Sequence, residues 1–311
     1  MKHLILKTSI LGLVFMSVLF SCDNKDKITL QYSLKQGETF SHDIVMNVDM
    51  VQKIANKDVK NNLVVNMKRT FEVKENHKDS CTLEGKYREW KIEGSMPLLS
   101  ADRISFDSNT AENIATPANL SPALKAVIGK PFEIVLTKTG KVRSVKGMDK
   151  LTEASMNAFD DSVPVNTRKQ MLEQFGVQFS DEAFKTDIES NTYFPDKPVG
   201  TGDSWDVSTV TTASNFIINS DLKSTLKSIE DNTVTLYIEG TVSTPEGYEQ
   251  DVNGVKTKVT LKGTQKGTLK ISKDTGWIIS SDMMVNFNGS IELLGVKAYI
   301  YCAIKMTLTD K

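Results

Sequence analysis

Along most of this chain apolar and polar residues alternate with a period of two, which commits it to long β-strands with one buried face. Ile44, Met46, Val48 and Met50 alternate with Val45, Asn47 and Asp49. Leu63, Val65, Met67, Phe71 and Val73 alternate with Asn66, Lys68, Thr70 and Glu72. The polar run Asn76-His77-Lys78-Asp79 reads as a turn, and a strand with Leu83, Tyr87, Trp90 and Ile92 follows it. Together these predict an antiparallel meander. The pattern resumes after Gly202, through Val234-Leu236-Ile238-Val242, Val259-Leu261 with Leu269-Ile271, Trp277 to Leu293, and Ile300 to Leu308.

The middle of the chain breaks this rhythm. Ser121-Pro122 supplies an N-cap and a first-turn proline for a short helix, which Gly129 closes. A hairpin is predicted from Pro131 to Gly147 with its turn at Lys138-Thr139-Gly140. Three- and four-residue spacing of Met148, Leu151, Ala154 and Ala158, and again at Met171 and Phe175, predicts amphipathic helices. Ser180-Asp181-Glu182 starts another, its acidic residues favouring the positive helix N-terminus. The expected class is α+β, mainly antiparallel β: two curved β-sheet lobes with a central helical segment. The divisions are residues 1–21 (signal peptide), 22–28 (tether), 29–118 (first β lobe), 119–195 (hairpin and helices) and 196–311 (second β lobe).

The two lobes echo each other. Gly37-Glu38-Thr39-Phe40 returns as Gly202-Asp203-Ser204-Trp205, and Leu83-Glu84-Gly85 as Ile238-Glu239-Gly240. Duplication is the favoured reading, against chance likeness of similar strands.

Residues 1–21 combine a cationic start (Lys2, Lys7) with an apolar run from Ile10 to Phe20, too short to span a bilayer. The run ends Leu19-Phe20-Ser21-Cys22, in the manner of a bacterial lipobox. Cleavage is expected between Ser21 and Cys22, with diacylglycerol on the Cys22 thiol and often an acyl group on its amine. Two or three acyl chains anchor stably where one is marginal. The protein is therefore expected in the cell envelope, most simply at the outer membrane, with the membrane as partner through this anchor. Removing Lys2 and Lys7 from the 38 basic residues leaves 36 against 39 acidic, a net charge of −3. That balance offers no basic face for nucleic acid.

Chemistry-bearing motifs are few. Cys81 and Cys302 sit at apolar positions of predicted strands and are read either as a disulfide or as two buried thiols. His42 and His77 have polar neighbours and are read as surface residues, with no second ligand at metal spacing, so no metal or other cofactor is expected. Ser220-x-x-Lys223 and Ser224-x-x-Lys227 match a serine-lysine spacing, but they lie in a β-rich region without the companion elements of such hydrolases. Asp160-Asp161 and Asp181-Glu182 read as solvated carboxylates. No catalytic residue is assigned and the protein is not expected to be an enzyme.

Met46, Met50, Met67, Met283 and Met306 fall on inward parities. Methionine adapts to irregular space, so these residues either fill an ordinary core or line a groove for a flexible apolar ligand.

The phrases Leu124 to Phe132, Gly140-Lys141-Val142 and Phe194 to Trp205, above all Gly129-Lys130-Pro131-Phe132 and Gly202-Asp203-Ser204-Trp205, resemble a family of lipoproteins from Bacteroidota-type genomes, domain-of-unknown-function family 6263. The resemblance covers the chain from about Thr29 to its C-terminus. It implies an envelope location and a β-helix-β layout, and carries no catalytic residues. The expected role is a non-catalytic binding or carrier lipoprotein for a hydrophobic small molecule. The alternative is a structural or accessory subunit of a cell-envelope complex, with an envelope protein as partner.

Overall fold

The computed structural model describes residues 27–54, 57–97, 101–110, 120–174, 180–190, 194–213, 216–252 and 255–310. In the first half the strands are β1 (Thr39–Ile54), β2 (Lys57–Asn76), β3 (Ser80–Met96), β4 (Ala101–Asp107), β5 (Pro131–Thr137) and β6 (Val142–Lys146). Among the described residues, the helices α1 (Leu120–Lys125), α2 (Met148–Asn157), α3 (Val165–Gln174) and α4 (Asp181–Ser190) interrupt or follow them. The second half contributes β7 (Ser204–Ala213), β8 (Phe216–Glu230), β9 (Thr233–Ser243), β10 (Glu249–Val252), β11 (Val255–Ser272), β12 (Ile278–Leu293) and β13 (Val296–Asp310).

The thirteen strands among the described residues form one antiparallel sheet, in the order β6-β5-β3-β2-β1-β13-β12-β11-β9-β8-β7, with β4 on β3 and β10 on β11. The expected antiparallel α+β class is what the chain adopts. Its two lobes are the two halves of this single sheet, because β1 pairs with β13 from His42↔Asp310 to Lys53↔Tyr299. The helical segment is minor.

The sheet curls strongly. At Gly263 of β11 and Gly289 of β12, an added Cβ would lie only 1.9 Å from the backbone oxygens of Asn286 and Thr260 on the neighbouring strand. Only glycine permits so close an approach, and such positions let long strands bend. The curl brings the two edge strands toward each other, and α4 fills the seam by packing on both β6 and β7. Glu189 of α4 accepts a hydrogen bond from the Val142 N–H of β6 at 2.7 Å, blunting one exposed edge. Ser180 caps α4 through its Oγ, which accepts from the Ala183 N–H at 3.1 Å.

One end of the curled sheet is shut by residues 28–38. Ile28 bridges to Val199, the Tyr32 N–H donates to the Lys138 carbonyl, and the Ser33 N–H donates to that of Thr275. Leu30, Tyr32 and Leu34 are buried by this crossing. The outside of the sheet meets water: on β11, Lys258, Lys262, Lys266 and Lys270 are all exposed. Among the described residues, no helix is long and apolar enough to cross a membrane.

The sequence echo has a structural counterpart. Gly37 and Gly202 both take left-handed φ, 85° and 92°. Gly37 donates to the Val73 carbonyl while the Val73 N–H donates to Glu38, and Gly202 and Leu226 repeat that exchange with Asp203. The Glu38 and Asp203 carboxylates each accept the backbone N–H three residues back, from Lys35 and Gly200. The order β1-β2-β3-β5-β6 is thus matched by β7-β8-β9-β11-β12. At one junction of the two units β13 sits between β12 and β1, and at the other α4 sits between β6 and β7.

Candidate functional site: an apolar trough with a polar end

The inward face of the central strands changes character along its length. Near the closed end, Phe71 of β2, His42 and Ile44 of β1, Leu308 of β13 and Met283 of β12 are buried. Beyond them the same face continues as half-buried side chains. Met46 lies beside Val65 and Met306, and the next row sets Val48 beside Leu63 and Ile304, with Val285 following. Met50, Cys302 and Phe287 form a further row. Burial returns at Ile300, Leu261 and Val259. An apolar floor four strands wide therefore lies half open between closed cores. Of the five methionines expected inward, Met283 is core, and Met46, Met50, Met67 and Met306 belong to this floor or its margin.

The closed end holds an aromatic cluster. Trp277 stacks on Phe40 (centroids 4.5 Å apart) and on His42 (4.8 Å), and meets Phe71 edge-on. Arg69, 5% exposed, faces His42 across the β1–β2 ladder. Its guanidinium donates to the Asp187 carboxylate of α4 at 2.8 Å and lies over the Phe71 and Phe184 rings. Burial opposes the Arg69 charge, but Asp187 and Tyr87 more than offset it, and its pKa is raised. Burial is also the main reason the Tyr87 phenol is pushed up to about 12. Burial first, and the Arg69 charge second, push the His42 pKa down to about 3, so this imidazole is neutral.

Beside these groups lies a cavity of about 40 Å³, lined by Tyr32, His42, Arg69, Trp277 and aliphatic neighbours. A water needs roughly 10–15 Å³ measured this way, so the space admits two or three waters and no acyl chain. A wider depression, about 980 Å³, is on the outside against α2 and is lined by Lys74, Glu84, Lys146, Lys150, Glu153 and other polar residues. Neither of these two spaces is a closed apolar cavity of several hundred Å³, the usual size of a ligand pocket. The longer apolar surface is the half-open floor.

A family model described as a family of unknown function (DUF6263) matches residues 78–278. The chain belongs to that family. The match runs from the β2–β3 turn to the first residue of β12 and takes in the Gly-Lys-Pro-Phe and Gly-Asp-Ser-Trp phrases. No curated protein matches the chain. Among solved structures, a lipovitellin structure described by its lipid-protein interactions is similar at 8% identity and a TM-score of 0.48, over 89% of this chain and 25% of that one. The chain thus spans about a quarter of the lipovitellin chain. The translocator domain of autotransporter NalP from Neisseria meningitidis follows at 5% identity and a TM-score of 0.19, over 88% and 89%.

Of the residues singled out in the sequence, the signal segment 1–21 with Ser21, the lipidation residue Cys22, and Phe175 lie outside the described ones. Cys81 and Cys302 are free thiols, not a disulfide. Cys81 is level with Asn76 of β2, and Cys302, through Met50, with Asn61. Fifteen residues of strand, on the order of 50 Å, separate those levels, far beyond disulfide reach. Burial pushes both thiols up to about 11.

His42 is a correction: it is 7% exposed, not a surface residue. Its parity, shared with Phe40, Ile44 and Met46, carried that signal, and its polar neighbours Ser41 and Asp43 point to the other face. His77 is exposed, with Nε2 3.1 Å from Glu75. On β8, Ser220 and Ser224 are buried while Lys223 and Lys227 are exposed on the opposite face, so neither Ser-x-x-Lys pair meets. Arg69 and Asp187 belong to no sequence motif, and only the fold makes them partners.

Proposed function

We propose that this protein is a lipid-anchored envelope protein, held by acylated Cys22, that carries a hydrophobic ligand on the half-open floor of its curled sheet without catalysing a reaction. The observation behind this reading is the row of half-buried apolar side chains from Leu63 and Val65 through Met46, Val48, Ile304 and Met306 to Val285, flanked by closed cores. Folding normally covers such a surface, and a contiguous apolar face left half open marks an interaction site. Unbranched methionines let it accept chains of differing shape.

Native mass spectrometry of the mature protein, extracted from membranes in mild detergent, tests this reading. A bound acyl species beyond the Cys22 lipid is the expected result. A ligand-free protein that also fails to bind a fluorescent fatty-acyl probe overturns it.

A second reading, an accessory subunit of an envelope complex, draws on the β12–β13 hairpin. Leu294 is 79% exposed, and Leu293, Val296, Tyr299 and Tyr301 are also exposed. Crosslinking in cells through a photoreactive residue at position 294 should then capture one defined envelope protein; recovery of the monomer alone would count against it.

A further inference from the structure

Three buried polar atoms at the closed end have no hydrogen-bond partner among the described residues: His42 Nε2, Arg69 Nε and Trp277 Nε1. Their residues line the same cavity of about 40 Å³. The imidazole bonds to the Ile278 backbone, and because Nε2 is without a partner we assign that bond to Nδ1. With Nδ1–H donating there, Nε2 presents a lone pair. Arg69 Nε and Trp277 Nε1 can only donate. The residues around the cavity thus hold one unpaired acceptor and two unpaired donors, each almost wholly buried at its wall, and leaving buried polar groups unpaired costs stability.

A hydroxyl matches that set chemically: its O–H can donate, as His42 Nε2 requires, and its two lone pairs can accept, as Arg69 Nε and Trp277 Nε1 require. The Arg69 charge is already matched by Asp187. A carboxylate would bring a second negative charge to a satisfied ion pair and set its lone pairs against that of His42. The volume admits a head of a few heavy atoms and excludes a phosphodiester. One row separates the cavity from the floor on this face, Ile44 with Met67 and Leu308, of which Ile44 and Leu308 are buried; the next row is Met46 with Val65 and Met306.

We propose that the closed end is a head-group site for a long-chain amphiphile with a small un-ionised hydroxyl, either a fatty alcohol or a protonated fatty acid, whose hydrocarbon lies along the floor. This rests on the carrier reading of the floor. Met67, the unbranched member of the intervening row, is the side chain best able to shift as the chain passes.

Binding of 1-hexadecanol, palmitic acid and methyl palmitate to delipidated mature protein, read by displacement of a fluorescent acyl probe, tests the proposal. The ester keeps the chain length but lacks the O–H donor. At least one hydroxyl ligand should bind roughly tenfold tighter than the ester, the discrimination expected from leaving the His42 acceptor unpaired. Preference for the alcohol or for the acid identifies which source of the hydroxyl the site takes. In His42→Leu the preference should vanish while ester binding persists, and circular dichroism checks that the variant is folded; should it not fold, the comparison on the unaltered protein decides alone. Equal binding of all three ligands overturns the head-group site, leaves the carrier reading standing and assigns the cavity to water. A preference that survives in folded His42→Leu overturns it too. Binding of none of the three overturns the carrier reading and this site with it.

Discussion

At the scale of single residues, the buried end of the trough is governed by the desolvation of charge. The His42 pKa, pushed down to about 3 by burial and by Arg69, lies below its ordinary value of 6.5. The unfolded chain therefore takes up a proton that the folded one refuses. Stability is full above pH 6.5 and falls as the pH drops toward 3, by about 1.4 kcal/mol per unit. Between pH 7 and pH 5 the loss is about 2 kcal/mol. Urea unfolding should show this slope, and His42→Leu should flatten it; an unchanged slope in that variant would assign the loss to other groups. Arg69 and Asp187 behave asymmetrically, because their side chains are 6% and 47% exposed. Asp187→Ala strands a buried guanidinium and should cost about 2 kcal/mol, discounted from the cost of breaking a fully buried pair because Asp187 is half in water. Arg69→Met leaves a carboxylate that water can reach and should cost less. Denaturant midpoints of the two variants check the order. His42 was legible through its parity alone. The Arg69–Asp187 pair was not, since 118 residues separate its members.

At the scale of elements, sequence and structure meet most closely where local chemistry decides. The Pro131–Gly147 hairpin is β5 and β6, with a left-handed Gly140 in its turn. The Ser121-Pro122 signal marks α1, but the helix begins at Leu120, so Ser121 lies within it and does not cap it. The acidic start at Asp181 marks α4, capped by Ser180. The long strands follow the alternation, but their curvature depends on glycines whose role shows only across the ladder. At Gly263 an added Cβ meets the backbone of Asn286, which cannot move without dragging β12. Gly263→Ala should destabilise by roughly 2 kcal/mol or more, on the scale of an overpacked core. Gly247→Ala is the control for crowding, since nothing lies within 4 Å of its added Cβ; its φ of 67° still carries a left-handed penalty of about 1 kcal/mol. Thermal melts in which Gly263→Ala fell less than Gly247→Ala would remove close strand approach as the reason for that glycine.

At the scale of the whole molecule, the two matched β units form a curled sheet whose junctions are filled differently, by β13 on one side and α4 on the other. The same turn chemistry opens both units, which is why the Gly37 and Gly202 phrases could be read as a repeat. The units diverge at their ends, where neither predicts the other: β6 leads into helices, and β12 leads into a strand. If Cys22 carries the anchor, Cys22→Ala should move the protein from the membrane to the soluble fraction and abolish labelling with an alkyne fatty acid; unchanged membrane retention would remove the anchor from the proposed function. The sequence by itself determined the antiparallel β character, the hairpin and helix starts, the repeated turns and the family, because these rest on side-chain period, capping and turn residues within a few positions. Tertiary structure alone decided that the two lobes share one sheet, that α4 fills the seam, that Cys81 and Cys302 stay apart, and that His42, Arg69 and Trp277 converge on one cavity. Those are pairings between residues far apart in the chain, and their register is set by the curl of the sheet and by what must be buried inside it.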